Sequence, residues 1–308
     1  MGNPADATQP NSVQLTEQAH PCSISALQLS PVRMSAPTIS AVRLPLSNEI
    51  HCFDVDAFGC RIRAIADSWA GMQLLERCIF PSLRRSAGGA QSADILVRVG
   101  NADGGVGLWL ADEMMASAPS LDQLEASSVR VLDDAIVARL SSWRVIHAGV
   151  VAVEGQGLLL PGRTHSGKST LVAELVRRGA VYLSDEYALI GSEGLVHPYP
   201  RPMLLRNGAP ESHVAPVAEC GTAPVPIGWI FGLTWQAGCC WNPVLIDQSQ
   251  AVMLLLQNTP HVLGESPELV RYFERAVAQA QTYTGCRPDA AEAAAEILRL
   301  TASTGRVQ

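Results

Sequence analysis

PGRTHSGKST, residues 161–170, decides how this chain is read, because it holds the single lysine among 22 basic side chains. Everywhere else a positive charge is written as arginine. Gly162, four residues, Gly167, Lys168 and Ser169 spell the phosphate-binding loop pattern G-x-x-x-x-G-K-[ST]. In such a loop the glycines let backbone N–H groups turn inward onto a phosphate. The lysine threads a compact ammonium where a planar guanidinium fork would be too wide. A chance match to the four fixed positions has a probability of about 1% in a chain of this size. We therefore read Gly162, Arg163, Thr164, His165, Ser166, Gly167, Lys168, Ser169 and Thr170 as a nucleotide-phosphate site, with the Ser169 hydroxyl as a ligand for the Mg²⁺ of a bound nucleotide.

The loop works only between a buried strand and a helix N-terminus, whose free N–H groups and dipole favour anions. Both flanks are present. VIHAGVVAV (145–153), a Gly-Gln-Gly turn and LLLP (158–161) are short apolar runs, as in strands covered on both faces. Downstream, Leu171, Val172, Leu175 and Val176 fall on one helical face, and arginines and Gly179 close the helix.

Composition bounds the rest. At 308 residues and 47% hydrophobic the chain can bury a sizeable core, and a net charge of −7 argues against a general binder of nucleic acid or anionic membrane. MGNPADATQPNS lacks a basic and then apolar leader, and no uncharged apolar run reaches the length of a membrane span, so a cytoplasmic location is expected. The eight cysteines show no C-x-x-C spacing, which predicts reduced, mostly buried thiols.

Residues 1–45, rich in Ser, Pro, Thr and Gln, read as a mobile tail. A β-rich module follows over 46–143, with IHCFDV and CRIRAI as strands and a helix over 68–85 stopped by Pro81. DILVRVG and VGLWLA form a hairpin across NADGG, and a helix over 120–143 is opened by a Ser120/Gln123 capping box. From 144 to 308 the order is α/β. AVYLSDE is a strand, YALIG and LVHPYP form a hairpin, and IGWIFGLTW is a strand. SQAVMLLLQNT and SPELVRYFERAVAQAQ are helices, TYTGCR is a strand, and PDAAEAAAEILRLTA is the closing helix.

Asp185 and Glu186 end the strand that follows the loop helix, so a crossover brings them beside Lys168. Two acids there can bind Mg²⁺ or take a proton from an attacking hydroxyl. Because side chains alternate along a strand, one of the two is expected to dominate the chemistry.

The run His147-Ala148-Gly149-Val150, the Gly155-Gln156-Gly157 turn, the loop, and Leu183-Ser184-Asp185-Glu186 resemble the catalytic domain of bacterial HPr serine kinase/phosphorylase. That family shares its phosphate-binding domain with phosphoenolpyruvate carboxykinases. The resemblance implies a mixed-sheet domain, Mg-ATP binding and transfer of the γ-phosphoryl to a hydroxyl, with Asp185 as acid–base group assisted by His147. Glu186 stands where the family has a second Asp. The family's glycine-rich downstream segment is replaced by HPYPRPMLLRNG (197–208), in which Arg201 and Arg206 could meet phosphate or an acidic substrate.

The expectation is an ATP-dependent kinase acting on a Ser or Thr hydroxyl of a peptide or protein. Lys168 would hold the β- and γ-phosphates, Ser169 with Asp185 or Glu186 the Mg²⁺, and Asp185 the acceptor's proton. A homo-oligomer is possible on this reading. A nucleotide-dependent ATPase switch acting on a partner, and a small-molecule kinase, are the alternatives.

Overall fold

Alternation of apolar and polar residues builds the first of two principal sheets in this computed structural model, which describes residues 50–79, 93–162, 166–205, 213–215, 220–260 and 267–304. The expected tail, the stop at Pro81, and Arg163, Thr164, His165 and Arg206 lie outside the described residues. Strands β1 (His51–Ala57) and β2 (Cys60–Ala66) form a hairpin through Phe58 and Gly59, both at positive φ, and Cys60, Ile62, Ala64 and Ala66 point inward. Helix α1 (Trp69–Cys78) starts where the Ser68 hydroxyl accepts the Gly71 N–H at 3.2 Å, a cap worth about 1 kcal/mol. It crosses over to β3 (Ile95–Ala102), parallel to β2.

From β3 the chain turns at Asp103-Gly104 into β4 (Gly105–Leu110), the expected hairpin, and then into β5 (Glu113–Ala118). The sheet order is β1-β2-β3-β4-β5. The sequence reading missed β5, whose exposed Met114 and Met115 show no buried stripe. Helix α2 (Leu121–Val137) packs on α1 and on this sheet. It stops short of 143 because Arg139 and Leu140 donate to Ile136 and Val137, i to i−3 bonds that tighten the last turn. Its Ser120 cap accepts the Gln123 N–H at 3.4 Å. The Gln123 side chain returns to the Ser120 hydroxyl rather than to the backbone, so the reciprocal half of the expected box is not made.

The larger sheet begins with the hairpin β6 (Arg144–Val153) and β7 (Gln156–Pro161), followed by helix α3 (Lys168–Arg177). Then β8 (Val181–Ser184) and β9 (Tyr187–Ile190) run one after the other along the same edge of β6. The short β10 (Val196–His197) pairs with β9, and β11 (Met203–Leu205) with β12 (His213–Ala215). The chain continues through β13 (Ile227–Trp235), β14 (Val244–Ile246), α4 (Gln248–Gln257), α5 (Pro267–Val277), β15 (Gln281–Arg287) and α6 (Ala290–Thr304). The order is β10-β9-β6-β7-β13-β15-β14 with β8 also on β6. β7, β13 and β15 are mutually parallel and the remaining pairs antiparallel, a mixed α/β sheet.

Helices cover both faces of this sheet. Leu171, Val172 and Leu175 of α3 and Ala293, Ala294 and Ile297 of α6 pack on Leu158, Leu160 and Phe231. On the opposite face α4 and α5 bury Val252, Leu255 and Phe273 against Ile146 and Ile230. Each of the Leu, Val, Ile and Phe side chains contributes about 1.5–3 kcal/mol when fully buried. Helix α3 comes so close to β6 that a Cβ on Gly149 would stand 2.5 Å from Val172 Cγ2. The core of the first sheet runs on into Val145 and Leu189 of the second and Tyr199 just after β10, and both sheets belong to one compact unit, Pro45–Gln308.

The expectation of reduced, mostly buried thiols is corrected. Cys239 and Cys286 form a disulfide, and of the free thiols among the described residues Cys60 and Cys78 are buried while Cys52 and Cys240 are exposed. Strand pairing sets Cys286 opposite Thr234, and the turn after β13 folds Cys239 back onto it. A separation of 47 residues gives no spacing signal for that encounter.

Candidate functional site

Three parallel strands end at the same edge of the large sheet, at Pro161, Trp235 and Arg287, and the lysine loop rises from the first of them. Carboxyl ends of parallel strands are where α/β sheets place ligands. Gly167 caps α3 at φ +80°, a left-handed conformation that side chains resist, and the helix proper opens with Lys168. Its first N–H groups have no partner within the helix, so they present a positive end. Lys168 is only 8% exposed, and burial lowers its pKa while Glu186 and Asp185 work to raise it.

The loop forms one wall of a cavity of about 670 Å³. Gly167, Lys168, Ser169 and Thr170 line it on that side. His147 of β6, and Glu186 and Tyr187 at the start of β9, form a second wall. Arg130, Asp133 and Asp134 of α2 form a third, and residues 257–260 at the end of α4 close it with Arg201 and Leu204. Helix α2 belongs to the first sheet's layer, so the N-terminal residues furnish part of the cavity. Nothing in the spacing of the sequence announces Asp133 or Asp134 as neighbours of Lys168.

The two acids after β8 part company. Val150 pairs with Ser184 but Val151 with Tyr182, so Leu183 is a bulge, and this one-residue shift brings Asp185 to the side of Tyr182. Asp185 is fully buried and does not line the cavity. Its Oδ1 accepts the Tyr182 hydroxyl at 3.1 Å and lies 3.5 Å from Arg201 Nη1. Burial raises its pKa, while the Arg201 charge and the nearby Ser169 hydroxyl pull it down. Its second oxygen, Oδ2, is buried with no hydrogen-bond partner among the described residues.

Glu186 instead faces the cavity, its carboxylate hydrogen-bonded to His147 Nε2. Burial works to raise the Glu186 pKa, but His147, Arg201 and Lys168 outweigh it and hold the carboxyl below its usual value. The sequence reading paired His147 with Asp185, and the bulge corrects that partnership. It also offered Arg201 to a phosphate or an acidic substrate. Arg201 borders the cavity but is 2% exposed and is spent internally, with Nε 2.5 Å from Asp133 Oδ2 and Nη1 3.5 Å from Asp185 and 3.8 Å from Glu186. Asp133 also accepts the Tyr199 hydroxyl at 3.2 Å. Its pKa is pushed up to about 7 by burial, with the Arg201 charge opposing. A buried arginine surrounded by three acids sets the geometry of the floor at the cost of desolvating all four groups.

The arrangement joins an anion-binding helix end and a buried ammonium to a carboxylate–imidazole pair that can accept a proton. Among the described residues no cluster of three or more His, Cys, Asp or Glu is suited to a resident metal. The buried orphan oxygen of Asp185 and the Ser169 hydroxyl fit an ion that arrives with phosphates, because Mg²⁺ takes one or two protein oxygens and completes its shell from phosphate and water.

No protein-family model matches the chain, and no curated protein matches it. Among solved structures, the Hpr(Ser) kinase/phosphatase from Coxiella burnetii is similar at 15% sequence identity over 52% of this chain and 95% of that one, with a TM-score of 0.26.

Proposed function

We propose that the chain is an ATP-dependent kinase with a phosphoenolpyruvate-carboxykinase-like domain of the HPr-kinase kind, transferring the γ-phosphoryl of Mg-ATP to a Ser or Thr hydroxyl of a peptide or protein. One observation carries this reading: Lys168 and the N-terminus of α3 stand across a single cavity from the Glu186–His147 pair. Phosphoryl transfer asks a protein for little beyond that, namely a positive cradle for the phosphates and a group positioned to take the acceptor's proton.

Lys168 and the loop N–H groups would bind the β- and γ-phosphates. Glu186 would accept the acceptor's proton, the hydroxyl oxygen forming the new bond to phosphorus as the bond from phosphorus to the ADP oxygen breaks. His147 would orient Glu186 and share that proton through the hydrogen bond they already make. Ser169, with Asp185 behind it, would hold Mg²⁺, which when bound neutralises charge on the phosphates. Asp185 is thus assigned to the metal and Glu186 to the proton.

Incubation with Mg-ATP and a panel of Ser- and Thr-containing peptides, followed by mass spectrometry, tests the reading. Phosphopeptide is expected. ATP binding and hydrolysis without any phosphorylated acceptor would favour the switch, and absence of Mg-ATP binding by calorimetry would defeat the assignment altogether.

A further inference from the structure

Beneath the loop, outside the 670 Å³ cavity, lies a guanidinium that the proposed chemistry does not use. Arg287 is the last residue of β15, is 3% exposed, and among the described residues sends its hydrogen bonds to backbone carbonyls. Nη2 donates to Ser166 O at 3.3 Å and to Gly167 O at 3.1 Å, and Nη1 donates to Pro288 O at 3.1 Å. With Leu160, Ser166, Lys168 and Leu171 it lines a void of about 10 Å³ between loop and sheet.

In a trans peptide the N–H points opposite to the C=O of the same plane. Holding Ser166 O and Gly167 O from below therefore turns the N–H groups of Gly167 and Lys168 away from Arg287, toward the side on which Gly167 and Lys168 border the cavity. The planar fork suits this task, since one nitrogen reaches two successive carbonyls while the other is tied to the strand's own continuation. Gly167 is shaped for the contact as well, because a Cβ there would come within 2.6 Å of Arg287 Nη2.

The same group places a buried positive charge behind the helix N-terminus. Burial lowers the Arg287 pKa, with Asp289 opposing, so the protonated form is disfavoured by its surroundings and gains from an anion nearby. A polyphosphate on the loop is such an anion.

Resting on the kinase reading above, we propose that Arg287 is a positioning residue for the phosphate loop, one that aims the Gly167 and Lys168 amides and adds positive potential beneath the polyphosphate. It acts through the loop and does not touch the reacting atoms.

The test uses the full chain, wild type against Arg287→Lys and Arg287→Met, with calorimetric titration of Mg-ATP, tripolyphosphate and adenosine and with a melting curve for each variant. The wild type is expected to bind ATP and tripolyphosphate, and both variants to lose at least tenfold in affinity for these two. Adenosine binding should be unchanged, a split that general destabilisation would not produce. Arg287→Lys keeps the charge and supplies the measurement if Arg287→Met fails to fold. A wild type that binds and variants that bind equally well overturn the brace and leave the kinase reading standing. A wild type that binds neither ATP nor tripolyphosphate overturns both.

Discussion

The Glu186 carboxylate meets His147 Nε2 at the cavity wall, while Asp185, one residue earlier, is sealed beneath it against Tyr182 and Arg201. Adjacent acids thus occupy different environments, and under the proposed function their roles separate. Glu186→Gln should lose phosphoryl transfer by about 10²–10⁴, the range for a general base, with ATP affinity retained. Asp185→Asn should instead weaken Mg²⁺-dependent binding. Single-turnover rates at saturating Mg-ATP check this, and a fully active Glu186→Gln beside an inert, ATP-binding Asp185→Asn would reverse the assignment.

Lys168→Arg preserves charge and should still cost on the order of 10²–10³ in turnover, the scale for removing one preorganised donor to a developing anion. Lys168 is buried to 8% exposure, and a planar guanidinium fork does not reproduce the compact ammonium that it would replace there. Steady-state ATP turnover measures the loss. An unimpaired variant would mean that the ammonium does not meet the phosphates.

Asp133 offers a pH test of the buried floor. Unfolded, it titrates near 3.8, and in the folded chain burial lifts it to about 7. Between those values the native state keeps a proton that the unfolded state has released, so stability falls as pH rises through the window and levels off above about 7. Asp133→Asn lacks this titration. Its melting temperature should therefore gain on that of the wild type from about pH 4 to about pH 7. A difference that stays flat across the window would place the Asp133 pKa near its ordinary value.

Removal of residues 1–143 should leave a chain that does not fold, because Val145, Leu189 and Tyr199 belong to the first sheet's core and Arg201 would lose Asp133. Breaking a buried pair from one side typically costs about 3–5 kcal/mol. A chain lacking only residues 1–45 should keep ATP affinity, since among the described residues the cavity lining begins at Arg130. Circular dichroism and calorimetry on the two truncations decide this. A folded, ATP-binding 144–308 fragment would show that the shared core is dispensable.

What could be read in the sequence was local. The loop, the strand before it and the helix after it are contiguous, so motif, apolar run and helical face all fall in one window around Lys168. The choice between Asp185 and Glu186 could not be read, because a bulge at Leu183 changes which acid faces the cavity, and bulges leave no mark in an alternating pattern. Asp133 and Arg287 were also out of reach. They lie far from the loop along the chain, and only the packing of α2 and the pairing of β15 with β13 bring them to it. The full capping box at Asp247 and Gln250 was legible and passed over, whereas the one expected at Ser120 formed by half.

The Cys239–Cys286 bond closes the chain between them into a covalent ring that carries β14, α4, α5 and most of β15. Closing a loop of 47 residues withholds roughly 4 kcal/mol of entropy from the unfolded chain on the loop-closure model. A backbone cut anywhere inside the ring leaves both fragments tethered, so a nicked chain should migrate as one species on a denaturing gel until a thiol reductant is added. The end of α4 that walls the cavity therefore sits on a closed circuit whose last member, Cys286, directly precedes Arg287, and that circuit survives loss of one peptide bond but not loss of the sulfur bridge.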